Sequence, residues 1–211
     1  MNAANTLDAG AGPAALRDCE RIGRTDGLAA GLAAVLDGRD VTATAPGRYA
    51  ALSAAGVRKL ESAVVLKHGL ADREDVVFAE LPSPRPPAGP ALAEIGALLA
   101  AVRLGVVRRT LDLAVEHLSA RDCGGEPLIR KQLVTGAVAD AIAEVELLRE
   151  QIPGHRDPAA LADLHTRIDE LGWRVAKLFG AAGYIADHPV RALYVSALCA
   201  NTWIGREGAG E

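Results

Sequence analysis

The segment from Arg121 to Gln132 reads R-D-C-G-G-E-P-L-I-R-K-Q, and the segment from Lys177 to Tyr194 reads K-L-F-G-A-A-G-Y-I-A-D-H-P-V-R-A-L-Y. An arginine offers a planar fork of donors that matches phosphate oxygens. A glutamine amide donates and accepts at once, a lysine can meet a phosphate as a point charge, and glycines let a backbone approach a ligand closely or adopt a positive φ. Arg121, Gln132, Lys177, Gly180 and Gly183 are the residues of these two segments whose types can serve such contacts. Each also has a plainer reading. Arg121 can pair with the last carbonyls of a helix or with Glu116, and Gln132 can be a solvated helix position. Lys177 can snorkel, and G-A-A-G-Y can be a glycine-terminated helix, a tight turn and the start of another helix.

The remaining reactive types are dispersed. His68, His117, His155, His165 and His188 show no metal-ligand spacing. Cys19, Cys123 and Cys199 form no C-x-x-C pair and no signal peptide precedes them, which predicts a cytoplasmic protein with reduced thiols. Cys123 stands beside Gly124 without an evident thiolate-stabilising neighbour. Asp163 and Asp169 with Arg167, and Glu144 and Glu146 with Arg149, read as ion pairs on solvated helix faces.

The elements that must position these groups are mainly α-helical. Half of the 211 residues are apolar, mostly Ala, Leu and Val, and 3% are aromatic, which suits close-packed helices. A net charge of -4 argues against nucleic acid or an anionic membrane as partner. The most apolar stretch, Pro90 to Val107, is interrupted by Glu94 and Arg103 and reads as a buried helix, not a membrane span.

Along the chain, residues 1–38 read as a tail followed by two short helices, the second capped by Asp26. Residues 39–80 read as a small β-rich unit of three or four strands, in V-T-A-T-A, R-Y-A-A-L, S-A-V-V-L-K and D-V-V-F-A-E. The proline-rich run 81–90 predicts a stiff linker. Four helices, at about 91–120, 127–151, 157–180 and 189–203, form an antiparallel bundle over 91–205, with a flexible tail at 206–211.

Residues 91–205 resemble the C-terminal four-helix-bundle domain of the acyl-CoA dehydrogenase family. The carriers are Arg121, Gly125, Pro127, Leu128 and Gln132 against R-x-x-F-G-x-P-L and its following Gln. Lys177, Gly180, Ala181, Gly183 and Tyr184 stand against Q-x-x-G-G-x-G-Y, and Asp187, Pro189 and Tyr194 continue the pattern. The resemblance implies that Arg121 reaches the pyrophosphate of FAD on a neighbouring subunit and that Gln132 helps hold the adenosine half. It implies cofactor-binding roles for Lys177, Gly180 and Gly183 as well. The departures are Gly124 for Phe, Lys177 for Gln and Ala181 for Gly. The part before the linker is also short against a complete family member, so strands 40–80 are expected to be a remnant of the β-domain.

Family members abstract a proton beside a thioester carbonyl with a glutamate. At one base position of the family this chain has Ile204, before Gly205; at the other it has Ile95, with Glu94 one residue away and so rotated by about 100° on a helix. Glu94 and Glu207 are the remaining carboxylate candidates, and Glu207 in a Gly-rich tail lacks the positioning that base catalysis needs. Losing a base typically costs about 10²–10⁴ in rate, which a second chain can restore. The resemblance therefore implies a subunit that contributes to a shared FAD site for α,β-desaturation of an acyl thioester, assembled with an acyl-CoA dehydrogenase homologue or with itself. Two alternatives stay open: a flavin-independent enzyme on an acyl or acyl-carrier substrate, using Lys177, Tyr184, Glu94 or His188, and a non-catalytic assembly protein.

Overall fold

A computed structural model of the protein describes residues 11–82, 89–155 and 157–204. The expected tails, most of the proline-rich linker and Glu207 lie outside the described residues. The chain begins with α1 (Pro13–Thr25), whose proline occupies the first turn where no N–H is needed. It continues into α2 (Leu28–Val35). Asp26 does not cap α2, contrary to expectation. Its backbone closes α1 by donating to Ile22, its carboxylate accepts from Thr25, and the N-cap of α2 is Gly27 at φ 90°.

Between residues 41 and 80 lie α3 (Val41–Thr44), β1 (Tyr49–Ser53), α4 (Ala54–Val57), β2 (Val64–Leu66), α5 (Gly69–Asp72) and β3 (Val76–Glu80). The V-T-A-T-A segment is helical where a strand was expected. Asp40 overrides the β-propensity of its Val and Thr residues by accepting from the N–H groups of Thr42 and Ala43. The three strands form an antiparallel sheet in the order β1-β3-β2, with Ala51 and Leu66 both paired to Phe78. Strand β1 is anchored to the bundle: the Ala51 N–H donates to Thr202 Oγ1 at 3.1 Å, and Trp203 Nε1 donates to the Ala51 carbonyl at 2.9 Å.

The bundle consists of α6 (Gly89–Ser119), α7 (Gln132–Gln151), α8 (Pro158–Lys177) and α9 (Arg191–Trp203). Gly89 and Pro90 belong to α6 and not to the linker. From Ile95 to Val107 every residue of α6 is buried, because α1, α2, α8 and α9 surround it. A helix apolar on all sides belongs at the centre of a core. On length and composition α6 would qualify as a membrane span in spite of Glu94 and Arg103, so those two charges are not what rules; its apolar surface is satisfied inside the protein. One hydrophobic core runs from Leu16 on α1 through the sheet to Trp203 on α9.

The tightest crossing joins α1 to α6. A Cβ added at Gly23 would lie 2.2 Å from the Val102 carbonyl oxygen, and one added at Gly105 would lie 2.1 Å from that of Glu20. Backbone against backbone leaves no room for any side chain there.

Candidate functional site

The first motif folds into a loop between α6 and α7. Gly124 and Gly125 sit at φ 69° and 85°, Cys123 N–H donates to the Glu126 carbonyl at 3.0 Å, and Asp122 bridges Pro127. Two consecutive positive φ values are the requirement of a tight two-residue hairpin turn, which glycine meets without strain. An aromatic residue at position 124 would be strained in it. Arg121 lies two residues beyond the end of α6 and is exposed, with Nη1 3.4 Å from Nε2 of His117. Gln132 opens α7 and is exposed.

The second motif ends α8. Lys177 is exposed and its ammonium lies 5.7 Å from the centroid of the Trp173 ring. Gly180 adopts φ 57° with open space around it, which is a helix-terminating glycine. Gly183 has a different cause: an added Cβ would lie 2.8 Å from the Ala176 carbonyl oxygen, so the turn could not fold back on α8. Ala181 is exposed, with its methyl on the outer surface of this turn.

The structure brings the two motifs together. The His117 ring lies 5.3 Å from that of Phe179, and Phe179 meets His188 edge-on at 4.6 Å. Arg121 therefore reaches the second motif through His117 and Phe179. Burial, then His117 and Arg191, pushes the imidazole of His188 below its usual range, and its Nδ1 accepts from Val190 N–H.

The two positions at which the resemblance would place a carboxylate, 95 and 204, both hold isoleucine, and Ile204 lies against the residue next to Ile95. Ile95 is fully buried, and Ile204, 5% exposed, packs its Cδ1 over Gly96. Glu94 is held in an ion pair at 3.1 Å by Arg39, which itself donates to the Val35 carbonyl. It lines a different cleft, near Pro153 and His155, from the one that Tyr184 lines. Lys177, Tyr184, Glu94 and His188 thus do not converge on one pocket.

One polar cluster was not legible. Arg103, 1% exposed at the centre of α6, donates through Nε to Ser196 at 2.9 Å, approaches His165 Nδ1 at 2.6 Å and pairs with Asp169. His165 Nε2 in turn lies 3.1 Å from the Gly96 carbonyl, which fixes a neutral ring that donates from Nε2 and accepts at Nδ1. The reading of Asp169 as a surface partner of Arg167 is thereby corrected. Arg167 pairs with Glu144 on α7, and Arg149 pairs with Glu20 on α1 as well as Glu146. Arginine inside an apolar run was the available signal. Among the described residues no group of three His, Cys, Asp or Glu stands where it could hold a metal ion.

Arg121, Gln132, Lys177 and Gly180, which would face FAD, are all exposed to solvent and line none of the clefts described, whereas Gly183 is half-buried and lines the cleft between α8 and α9.

Residues 91–152 match the family profile described as acyl-CoA dehydrogenase, C-terminal domain. Among solved structures, a variant of the Tcur3481-Tcur3483 steroid ACAD is 25% identical, with a TM-score of 0.52 over 67% of this chain and 44% of that one. A glutaryl-CoA dehydrogenase from Mycobacterium smegmatis in complex with FADH2 is 17% identical, with a TM-score of 0.50 over 67% of this chain and 44% of that one. The glutaryl-coenzyme A dehydrogenase glutaryl-CoA complex is 20% identical, with a TM-score of 0.50 over 64% and 41%. The chain spans less than half the length of each. No curated protein sequence matches it.

Proposed function

We propose that this chain, whose bundle is of the acyl-CoA dehydrogenase C-terminal type, is a subunit that completes a flavin site together with an acyl-CoA dehydrogenase-like partner and does not catalyse desaturation by itself. The observation that carries the reading is a contrast of burial. Ile95 and Ile204, at the positions where the resemblance would put a base, are buried in the core, whereas Arg121, Gln132 and Lys177 are all presented to solvent. A lone dehydrogenase would show the reverse, a carboxylate in an open pocket.

Arg121 and Lys177 would neutralise the phosphates of the dinucleotide, Gln132 would orient its adenosine half, and the turn at Gly180 would let the backbone approach. FAD, when bound, would accept the hydride from the acyl thioester. The proton must go to a carboxylate of the partner, because isoleucine cannot take it. The exposed ends of these elements support assembly, since a phosphate held only by exposed side chains remains screened by water.

The experiment is a visible spectrum of the chain purified alone, and again after co-expression with the acyl-CoA dehydrogenases of the same organism. Flavin absorbance in the mixture alone is expected, weakened by Arg121→Ala or Lys177→Ala. One tightly bound FAD per protomer in the isolated chain would overturn the proposal.

A further inference from the structure

Gly172 lies in the interior of α8, where glycine weakens a helix relative to alanine. The packing does not require it. The nearest atoms to an added Cβ belong to Leu193, at 3.6 and 3.8 Å, which is ordinary contact. Gly23 and Gly105 are different, since backbone atoms block any side chain there. What the missing side chain of Gly172 leaves is a hollow of about 190 Å³ between α8 and α9, walled by Val107, Ile168, Ala176, Val190 and Leu193.

The rim of this hollow gathers aromatic residues from a chain that has two Trp, three Tyr and two Phe. Trp173, Tyr184 and Tyr194 line it and are 54%, 69% and 51% exposed. Its floor is the Arg103–Asp169–Ser196 cluster, of which Arg103 is fully buried and Asp169 keeps a quarter of its side chain accessible. Apolar walls, an aromatic mouth and a few fixed polar groups are the anatomy of a small-molecule site.

We infer that the α8–α9 cleft binds a small neutral molecule with a compact apolar body, a single ring or its aliphatic equivalent, bearing one hydroxyl group. Size sets the first part, because an apolar cavity of about 150 Å³ accommodates benzene, and a helix or peptide strand is too large for this one. Charge sets the second. Arg103 and Asp169 already balance one another, so an ion entering the cleft would lose its hydration and meet no net opposite charge. A hydroxyl can donate to the Asp169 carboxylate and accept from Ser196. The cleft shares Gly183 and Tyr184 with the second motif, but the test needs no flavin and no partner, so its outcome is distinguishable from that of the shared-flavin reading.

The probe is cyclohexanol titrated into the isolated chain, with p-cresol as the aromatic counterpart read by thermal shift. Trp173 on the rim reports occupancy by fluorescence, while Trp203, fully buried at the sheet, does not change. Saturable change of Trp173 emission and a rise in Tm are expected. Gly172→Leu fills the hollow and should weaken binding at least tenfold with Tm no lower than wild type. Gly172→Ala, which fills less, should weaken it a few-fold and serves if the leucine variant does not fold. Trp173→Phe should lose the fluorescence response and keep the thermal shift. Absence of saturable binding by both probes, or equal binding in the wild type and the filled variants, would overturn the inference.

Discussion

Ile204 packs its Cδ1 against Gly96 so closely that a Cβ added at Gly96 would lie 3.1 Å from it, with Leu161 completing the contact at 3.2 Å. This apolar closure sits where family resemblance asks for a carboxylate, and it has a consequence for attempts to restore one. Ile204→Glu would bury a carboxyl group beside Ile95 and Leu161. We expect destabilisation of about 3 kcal/mol or more and no dehydrogenase turnover by the chain alone. Urea unfolding together with an acyl-CoA turnover assay in added FAD checks both halves; a stable, active Ile204→Glu chain would contradict them.

The α1–α6 crossing predicts opposite signs for chemically identical substitutions. Gly23→Ala and Gly105→Ala each drive a methyl into a carbonyl oxygen that cannot rotate away. Each should cost about 2 kcal/mol or more as the helices are pushed apart. Gly172→Ala meets only ordinary contact with Leu193 and should stabilise by about 0.5–1 kcal/mol. Denaturation midpoints of the three variants decide the matter.

The bundle was legible because long 3.6-residue periodicity, Pro158 after Asp157 and the Pro153–Gly154 break are local signals. The Asp157 cap is present as read, accepting from Ala160 N–H. Three strand segments were legible for the same reason. V-T-A-T was not, because one aspartate side chain outweighs the propensity of a four-residue segment. The partners of Asp169 and Glu94 lie 66 and 55 positions away, the first on α6 and the second in the connection after α2, and no local pattern encodes how these segments meet. Gly183 was singled out from its motif, and the structure adds a contact no motif encodes, its close approach to the preceding helix α8.

The pairing of buried Arg103 with half-buried Asp169 predicts strong non-additivity. Arg103→Met removes the contacts of its guanidinium with Asp169, Ser196 and His165 and should cost about 3 kcal/mol or more. Asp169→Leu alone leaves a buried guanidinium and should cost a similar amount. The double variant removes both charges and should be markedly more stable than the sum of the two single losses. A double-mutant cycle by chemical denaturation measures the coupling, and simple additivity would show that the pair is not energetically linked.

The cysteines give a prediction on pH. Cys123 is exposed, whereas Cys19 and Cys199 are buried. Burial pushes the Cys199 thiol up to about 12 from an ordinary value of 9.0, against a smaller opposing effect of Arg103. The folded state keeps this proton where the unfolded state loses it, so between pH 9 and 12 the unfolded state binds fewer protons and stability falls as pH rises. Below pH 9 the contribution is constant. The loss amounts to about 4 kcal/mol by pH 12. Cys199→Ala removes the effect: its stability deficit at neutral pH should narrow steadily above pH 9, as followed by unfolding of both proteins from pH 7 to 10.5. Thiol labelling at pH 8 should modify Cys123 at once and the two buried thiols only on unfolding. A deficit that stays constant with pH, or rapid labelling of Cys199 in the folded protein, would place that thiol in contact with water.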